Sequence, residues 1–450
     1  MIKRIVIIIS ALLLLPLLFS CFETEQTATT GADQTAASGN GAAATGTAAA
    51  DTQTGAGASG TEQITEETAG GDHSAKTAAP VINGSVLLSS TAVMIYGKCE
   101  KDCVIGIKNG DEAFSVRADG DNFCFAASVK TSKKTSITVT AKAGGKEESE
   151  AVTCSVKGDK NAEDKGLTVT YGSRVMERKL LPDLYGTNAF TDKELIAIKE
   201  LAEYRVQKAR EASGKNTKIV YVIAPNPLAV YGEEITDGMR SKIENGSARL
   251  HQVSELLSKV DGVIFIDLTD TLIANKDAGK LYYKLDSHWT ELGAYFGYKA
   301  IMDRIGAVSH PLSDYEIEYI TIDDTDMNVY SGVGTGEMYE DAPFLHAKFT
   351  EQTPYGANKT ETARIWDFVN MYFKSTSKTD TNDSSRPSAV LIMDSYGLNA
   401  VPFLAESFSR FGIQPVWYYN ADYGLISELK ADYVIEILEE RDLSVLLSGS

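Results

Sequence analysis

Four regimes of hydrophobic patterning follow one another along the chain. An apolar run from Ile5 to Phe19 stands behind Lys3 and Arg4. From Phe22 to about Pro80 large apolar residues nearly vanish, and Thr, Ala, Gly, Ser and Gln take their place. Such a segment buries too little surface to offset its ordering entropy, so residues 21–80 are expected to act as a flexible tether. Residues 81–157 then show short alternating apolar runs at Ser85–Leu88, Ala92–Tyr96, Val104–Ile107, Ala113–Val116, Phe123–Val129, Ser136–Thr140 and Ala151–Val156. Turn signals such as Asn109-Gly110-Asp111 and Gly144-Gly145 separate them, which predicts a small all-β sandwich of the immunoglobulin-like kind.

Beyond Gly166 the period changes again, to helical patterns alternating with unbroken apolar runs. Helices are predicted at Asp192–Ser213, Gly238–Val260, Thr290–Ile305 and Tyr396–Phe411. Strands are predicted at Lys218–Ala224, Gly262–Leu268, Ala389–Met393, Pro415–Tyr419 and Tyr433–Leu438. Alternation of this type over residues 166–450 predicts a three-layer α/β domain with a mainly parallel sheet. Ligands of such sheets sit beyond the carboxyl ends of the strands, so residues just after strands are the first place to look for chemistry.

Charge and cysteine count narrow the function. In 450 residues, 62 acids face 43 Lys and Arg, a net charge of −19 that disfavours a nucleic-acid partner. The tether contributes eight acids against Lys76 alone. Five cysteines are an odd number. Leu18-Phe19-Ser20 ahead of Cys21 resembles the lipobox of bacterial lipoproteins, which implies cleavage after residue 20, lipidation of Cys21 and an extracytoplasmic, membrane-anchored protein. The apolar run is also shorter than the roughly 20 residues needed to span hydrocarbon. Cys99, Cys103, Cys124 and Cys154 remain, all within the predicted sandwich, and outside the cytoplasm they are expected to form two disulfides of unspecified pairing. A zinc site is the alternative, though paired C-x-x-C knuckles are missing.

Two short blocks carry candidate chemistry. In Asp286-Ser287-His288, the Asp two residues before the His places a carboxylate where it can accept from the imidazole Nδ1–H and leave Nε2 as a base. In Asp394-Ser395-Tyr396-Gly397, a serine follows a buried strand and precedes a helix, so its hydroxyl is presented at the sheet edge and its N–H can face an oxyanion. A metal held by Asp286 and His288 is the competing chemistry, but His251, His310 and His346 lack metal-like spacing.

Tyr282 to Tyr295 and Asp394 to Leu404 together resemble the DHHW and alginate O-acetyltransferase-like branch of the SGNH hydrolase superfamily. Val222–Tyr231 and Glu440-Arg441 support the resemblance, which covers roughly Gly166 to the C-terminus. It implies that Ser395 is the nucleophile, His288 the general base and Asp286 the residue that orients it, with no metal or organic cofactor. Ser287 stands where the family name implies a further His. Where the family tends to have Asp-x-Arg, this chain reads Gln414-Pro415-Val416-Trp417-Tyr418-Tyr419, an aromatic platform for sugar rings or simply core. Asn399 and Asn226 are candidate oxyanion donors. The resulting expectation is an acyl esterase or O-acetyltransferase acting on O-acetyl groups of a cell-surface or extracellular polysaccharide, with a membrane-bound acyl-donor protein as partner if it is a transferase. A non-catalytic carbohydrate-binding or envelope-assembly lipoprotein with an idle triad is the alternative.

Overall fold

The computed structural model describes residues 75–348, 358–361, 377–381, 383–415 and 421–448. Cys21, the signal segment and the tether as far as residue 74 lie outside the described residues. Among the described residues no helix is long and apolar enough to cross a membrane.

All seven predicted strands of the first folded region form: β1 (Val81–Ser89), β2 (Ala92–Lys98), β3 (Val104–Asn109), β4 (Glu112–Arg117), β5 (Asn122–Ser128), β6 (Thr135–Lys142) and β7 (Val152–Val156). They pair antiparallel into two sheets, β1-β2-β5 and β4-β3-β6-β7. One face of each sheet shares a core of Val93, Ile95, Ile105, Ile107, Phe123, Phe125, Ile137 and Val139. The period of two that made the strands legible is the alternation between this core and the outer faces.

The expected disulfides are absent, because all four sandwich cysteines are free. Cys99 and Cys103 stand close enough for their side chains to hydrogen-bond, and burial, with Cys103 beside it, pushes the Cys99 thiol up to about 12. Cys124 lies on β5 between Phe123 and Phe125, so it faces away from the sandwich interior. Its thiol donates to Ser173 O at 3.2 Å, while Cys154 packs on the interior side. The β1-β2-β5 sheet thus stands between Cys124, on its outer face, and Cys154 of β7 in the interior, so these two cannot be joined by an S–S bond.

A short hairpin, β8 (Leu167–Val169) with β9 (Val175–Glu177), leads into the α/β domain. There the parallel strands are β10 (Lys218–Ala224) and β11 (Val263–Asp267). A separate hairpin of β12 (Tyr315–Ile322) with β13 (Glu340–Ala347) follows. The main sheet then gains β14 (Asn358–Glu361), β15 (Ser377–Asp380), β16 (Ala389–Met393), β17 (Arg410–Pro415) and β18 (Tyr433–Glu439), in the order β11-β10-β18-β16-β17-β15-β14. In that order β11, β10, β18, β16 and β17 run parallel, and β15 and β14 add an antiparallel edge.

Both faces of this sheet are covered, which is why its strands read as unbroken apolar runs. Val220 and Val222 face the helices Glu291–Ile305 and Gly397–Ser407. Ile219, Tyr221 and Ile223 face Asp192–Ser213, Ala248–Leu257 and Tyr423–Leu429. Helix Asp192–Ser213 ends where the sequence said it would, between a Thr191/Glu194 capping box and left-handed Gly214.

Two predicted helices needed correction. The helix expected over Gly238–Val260 is broken into Asp237–Arg240 and Ala248–Leu257. Asn245-Gly246-Ser247 supplies the turn, and Glu244 N and Asn245 N donate to Tyr185 O instead of to a helical ladder. The helix expected to reach Phe411 stops at Ser407 and is followed by β17, Arg410–Pro415, while residues 416–419 of the strand placed at Pro415–Tyr419 lie outside the described residues.

Candidate active site

The carboxyl ends of β10, β16 and β18 bring Asn226, Asp394-Ser395 and Glu439-Glu440-Arg441 to one edge of the sheet. Asp394 ties two of these ends together, its Oδ1 accepting from Tyr396 N at 2.8 Å and its Oδ2 from Glu439 N at 2.7 Å. Ser395, half-buried, sits in the resulting turn two residues ahead of helix Gly397–Ser407.

The Asp-x-His block arrives on a loop that folds back on itself. Tyr282 bridges Trp289, Tyr283 N donates to His288 O at 3.2 Å, and Thr290 N donates to Leu281 O at 2.9 Å. At its tip Asp286 Oδ1 accepts from both His288 Nδ1 (2.7 Å) and His288 N (3.0 Å). The pairing foreseen for extended chain is thus made by a side-chain-to-backbone turn. A carboxylate can only accept, so the proton between them belongs to Nδ1 and the free lone pair to Nε2. That Nε2 is buried and has no hydrogen-bond partner.

Three hydrogen bonds stitch the two blocks together. Tyr396 Oη donates to Ser287 O (2.6 Å), Trp289 Nε1 to Tyr396 O (2.7 Å) and Asn399 Nδ2 to Trp289 O (2.9 Å). The Tyr396 ring, next in sequence to Ser395, lies 5.3 Å from the His288 ring. His288 also lines a cavity of about 10 Å³, room for roughly one water, with Arg174, Glu177, Tyr282 and Met327.

Of the other predicted residues, Asn226 is buried, with its Nδ2 on Leu180 O (3.0 Å) and its Oδ1 capping Leu228 N (2.9 Å). These bonds make it a structural cap rather than a group open to substrate. Asn399 is half-buried and commits one N–H to Trp289 O, leaving a second. Trp417, Tyr418 and Tyr419 lie outside the described residues. His310 pairs with Asp314 and His346 with Glu318, away from the Asp286 cluster.

Sequence reasoning missed Asp326. Its carboxylate accepts from Ser287 N (3.1 Å) and Ser287 Oγ (2.5 Å), and burial followed by the charge of Asp286 raises it to about 7. Thr325 caps the short helix that Asp326 begins, but nothing local ties that helix to a loop some forty residues earlier. Asp286, His288 and Asp326 bring ligand atoms within 4.8 Å and are the described residues that could hold a cation. In this arrangement Asp286 is engaged by His288 and Asp326 by Ser287.

Burial pulls the His288 pKa down, but Asp286, with Asp326 assisting against Arg441, raises it above the ordinary 6.5. A base must be neutral to act, so the acid limb of kcat/KM is expected to lie above pH 6.5. Asp326→Asn removes one of the two negative charges that hold the imidazolium and should move that limb to lower pH. A pH–rate profile of the two proteins checks both statements.

Residues 186–357 match the family model described as SGNH hydrolase-like domain, acetyltransferase AlgX. That stretch is thus similar to the SGNH hydrolase-like domain of AlgX-type acetyltransferases. The match bears out the resemblance read from Tyr282–Tyr295; it contains Asp286 and His288 and ends ahead of Ser395. Solved structures similar to the chain include a DHHW family protein from Eubacterium siraeum, at 15% identity over 69% of this chain and 92% of that one, TM-score 0.43. Another is PatB1 of Bacillus cereus, at 17% identity over 62% and 95%, TM-score 0.44. A third is the O-acetyltransferase domain of Pseudomonas putida AlgJ, at 13% identity over 63% and 94%, TM-score 0.38. No curated protein matches the chain.

Proposed function

We propose that the SGNH-like domain is a serine esterase or O-acetyltransferase that handles O-acetyl groups on a cell-surface or extracellular polysaccharide. The observation that carries this reading is His288, with Nδ1 on Asp286, its ring against that of Tyr396, the residue next in sequence to Ser395, and a buried Nε2 that Ser395 Oγ does not hydrogen-bond in this structure. The family description of residues 186–357 as acetyltransferase-like supports the acyl group and the reaction class. Nε2 takes the Ser395 Oγ proton as Oγ attacks the acetyl carbonyl. The tetrahedral oxyanion is met by the Ser395 N–H and the second N–H of Asn399. Collapse expels the sugar oxygen, which takes the proton from His288 and leaves an acetyl-enzyme. Water or another sugar hydroxyl completes hydrolysis or transfer. In the transferase direction a membrane-bound acyl donor takes the place of the sugar ester in the first step, its own leaving group accepts the proton from His288, and a sugar hydroxyl then takes the acetyl group.

Leu18 to Cys21 supports anchoring by a lipid on Cys21, with residues 22–80 as tether. The strand order β1-β2-β5 against β4-β3-β6-β7 supports the immunoglobulin-like reading of residues 81–157. The test is acetate release from p-nitrophenyl acetate together with fluorophosphonate labelling mapped to Ser395. The expected result is turnover and a single adduct at Ser395. Neither signal, under conditions where a related esterase gives both, overturns the reading.

A further inference from the structure

A buried carboxylate that the triad does not use governs the backbone just ahead of it. Glu340, at the start of β13, is 1% exposed. Its two oxygens accept from Lys284 N (2.8 and 3.0 Å) and from Leu285 N (2.7 Å), the two amides immediately before Asp286. Its Oε2 also accepts from Lys280 Nζ at 3.0 Å. The same ammonium donates to Asp119 Oδ2 at 2.6 Å, and Asp119 belongs to the β4–β5 turn of the sandwich.

That turn is itself held firmly. Asp119 and Asn122 exchange backbone hydrogen bonds of 2.8 and 3.1 Å, and Arg117 N donates to Tyr171 O at 2.7 Å. Beside it Lys98 of β2 donates to Tyr339 Oη at 2.8 Å, and Tyr339 reaches Asp121 at 3.1 Å, one residue before Glu340. Tyr96 donates to Glu337. Leu88, Met94, Tyr96 and Cys124 of the sandwich share one apolar cluster with Leu285 and Met327. A mere spacer has no need to place a charge inside the support of another region's loop, where an unpaired ammonium or carboxylate is costly.

We propose that the β-sandwich is a working part of the site: Asp119, through Lys280, fixes the Glu340 carboxylate that holds Lys284 and Leu285, and so positions Asp286 and His288. Asp119, Lys280 and Glu340 are positioning residues; none is assigned a contact with the reacting atoms. The proposal rests on the esterase reading for its effect on rate, but its structural half stands apart from that reading. The chain Asp119–Lys280–Glu340 ends one residue short of the triad, so a small slackening is delivered to the carboxylate that sets the imidazole tautomer and direction.

The test uses full-length protein and the isosteric Asp119→Asn, with Lys280→Met and Glu340→Gln alongside. Asp119→Asn should lower kcat for p-nitrophenyl acetate by about 10-fold with KM within about twofold, since substrate contacts are untouched. Amide hydrogen exchange at Lys284 and Leu285 should quicken by about 10-fold, while the β1–β7 amides exchange as in the parent. Asp119→Glu, which can still reach the ammonium, should recover most of the rate. Because Glu340→Gln leaves a buried ammonium with one partner and can lose its fold, the variant at Asp119, which is less buried than Glu340, carries the decision. Unchanged kcat and unchanged exchange in Asp119→Asn overturn the proposal. If the parent protein shows neither turnover nor labelling, the esterase reading fails, and the exchange measurement alone still decides whether the sandwich holds the loop.

Discussion

His288→Ala is expected to lower acetate release by about 10⁴-fold or more, roughly 5 kcal/mol of lost transition-state stabilisation at 1.4 kcal/mol per decade. The size follows from how little else His288 does. Its Nε2 has no partner and its Nδ1 touches only Asp286 and, at 3.4 Å, Ser287 Oγ. Asp286 keeps the backbone amides of residues 288 and 326 after the change, so the loop retains its shape while the base is gone. Ser395→Ala should cost a similar factor and abolish fluorophosphonate labelling. The double variant should be no worse than either single one, because residues of one catalytic unit are grossly non-additive. Asp286→Asn should fall nearly as far, since an amide in place of the acceptor favours the wrong imidazole tautomer. Single-turnover rates with thermal melts measure this series. A folded His288→Ala protein that keeps a tenth of the parent rate removes His288 from the mechanism.

What made these residues legible is local. Asp286 and His288 are two apart, and the serine follows an apolar run whose two faces are both buried, so short windows already contain the chemistry. The seven sandwich strands were equally readable, because a half-buried strand writes its period into the sequence. The errors share a cause of the opposite kind. The broken helix near Asn245 depends on Tyr185 O, the fate of Cys124 depends on Ser173, and the roles of Asp326 and Glu340 depend on a loop between forty and sixty residues away. Asn226 looked like a donor at a strand end, yet Leu180 and Glu440 engage it from two distant segments while its Oδ1 caps Leu228 N. Disulfides were inferred from compartment and count, whereas which face of β5 a cysteine occupies is a matter of register.

The folded protein should be most stable under mildly acidic conditions, in the direction opposite to its activity. Burial raises Asp326, Asp394, Glu291 and Glu440 to about 7 and Glu406 to about 8. Between the ordinary carboxylate range near 4 and these values the folded chain binds more protons than the unfolded one. Stability therefore falls as pH rises through that window, by about 1.4 kcal/mol per pH unit for each excess proton. His288 acts with the same sign: its raised pKa gives stability that is complete below 6.5 and disappears as pH passes the folded value. Glu234 and Asp286 oppose this only in acid. Burial pushes both up, but Arg174 and Lys284 around the one and His288 beside the other hold them below their usual values, so their contribution is lost as pH drops below about 4. Tm should then peak between about pH 4.5 and 6 and fall by on the order of 10 °C by pH 8. A flat or rising profile sinks the argument. Glu406→Gln separates the cause, because an amide does not titrate: it should raise Tm at pH 8 more than at pH 5 and leave the acid limb of activity where it was. The site would then operate where its base is neutral and its buried carboxylates are charged, trading stability for a reactive edge of the sheet.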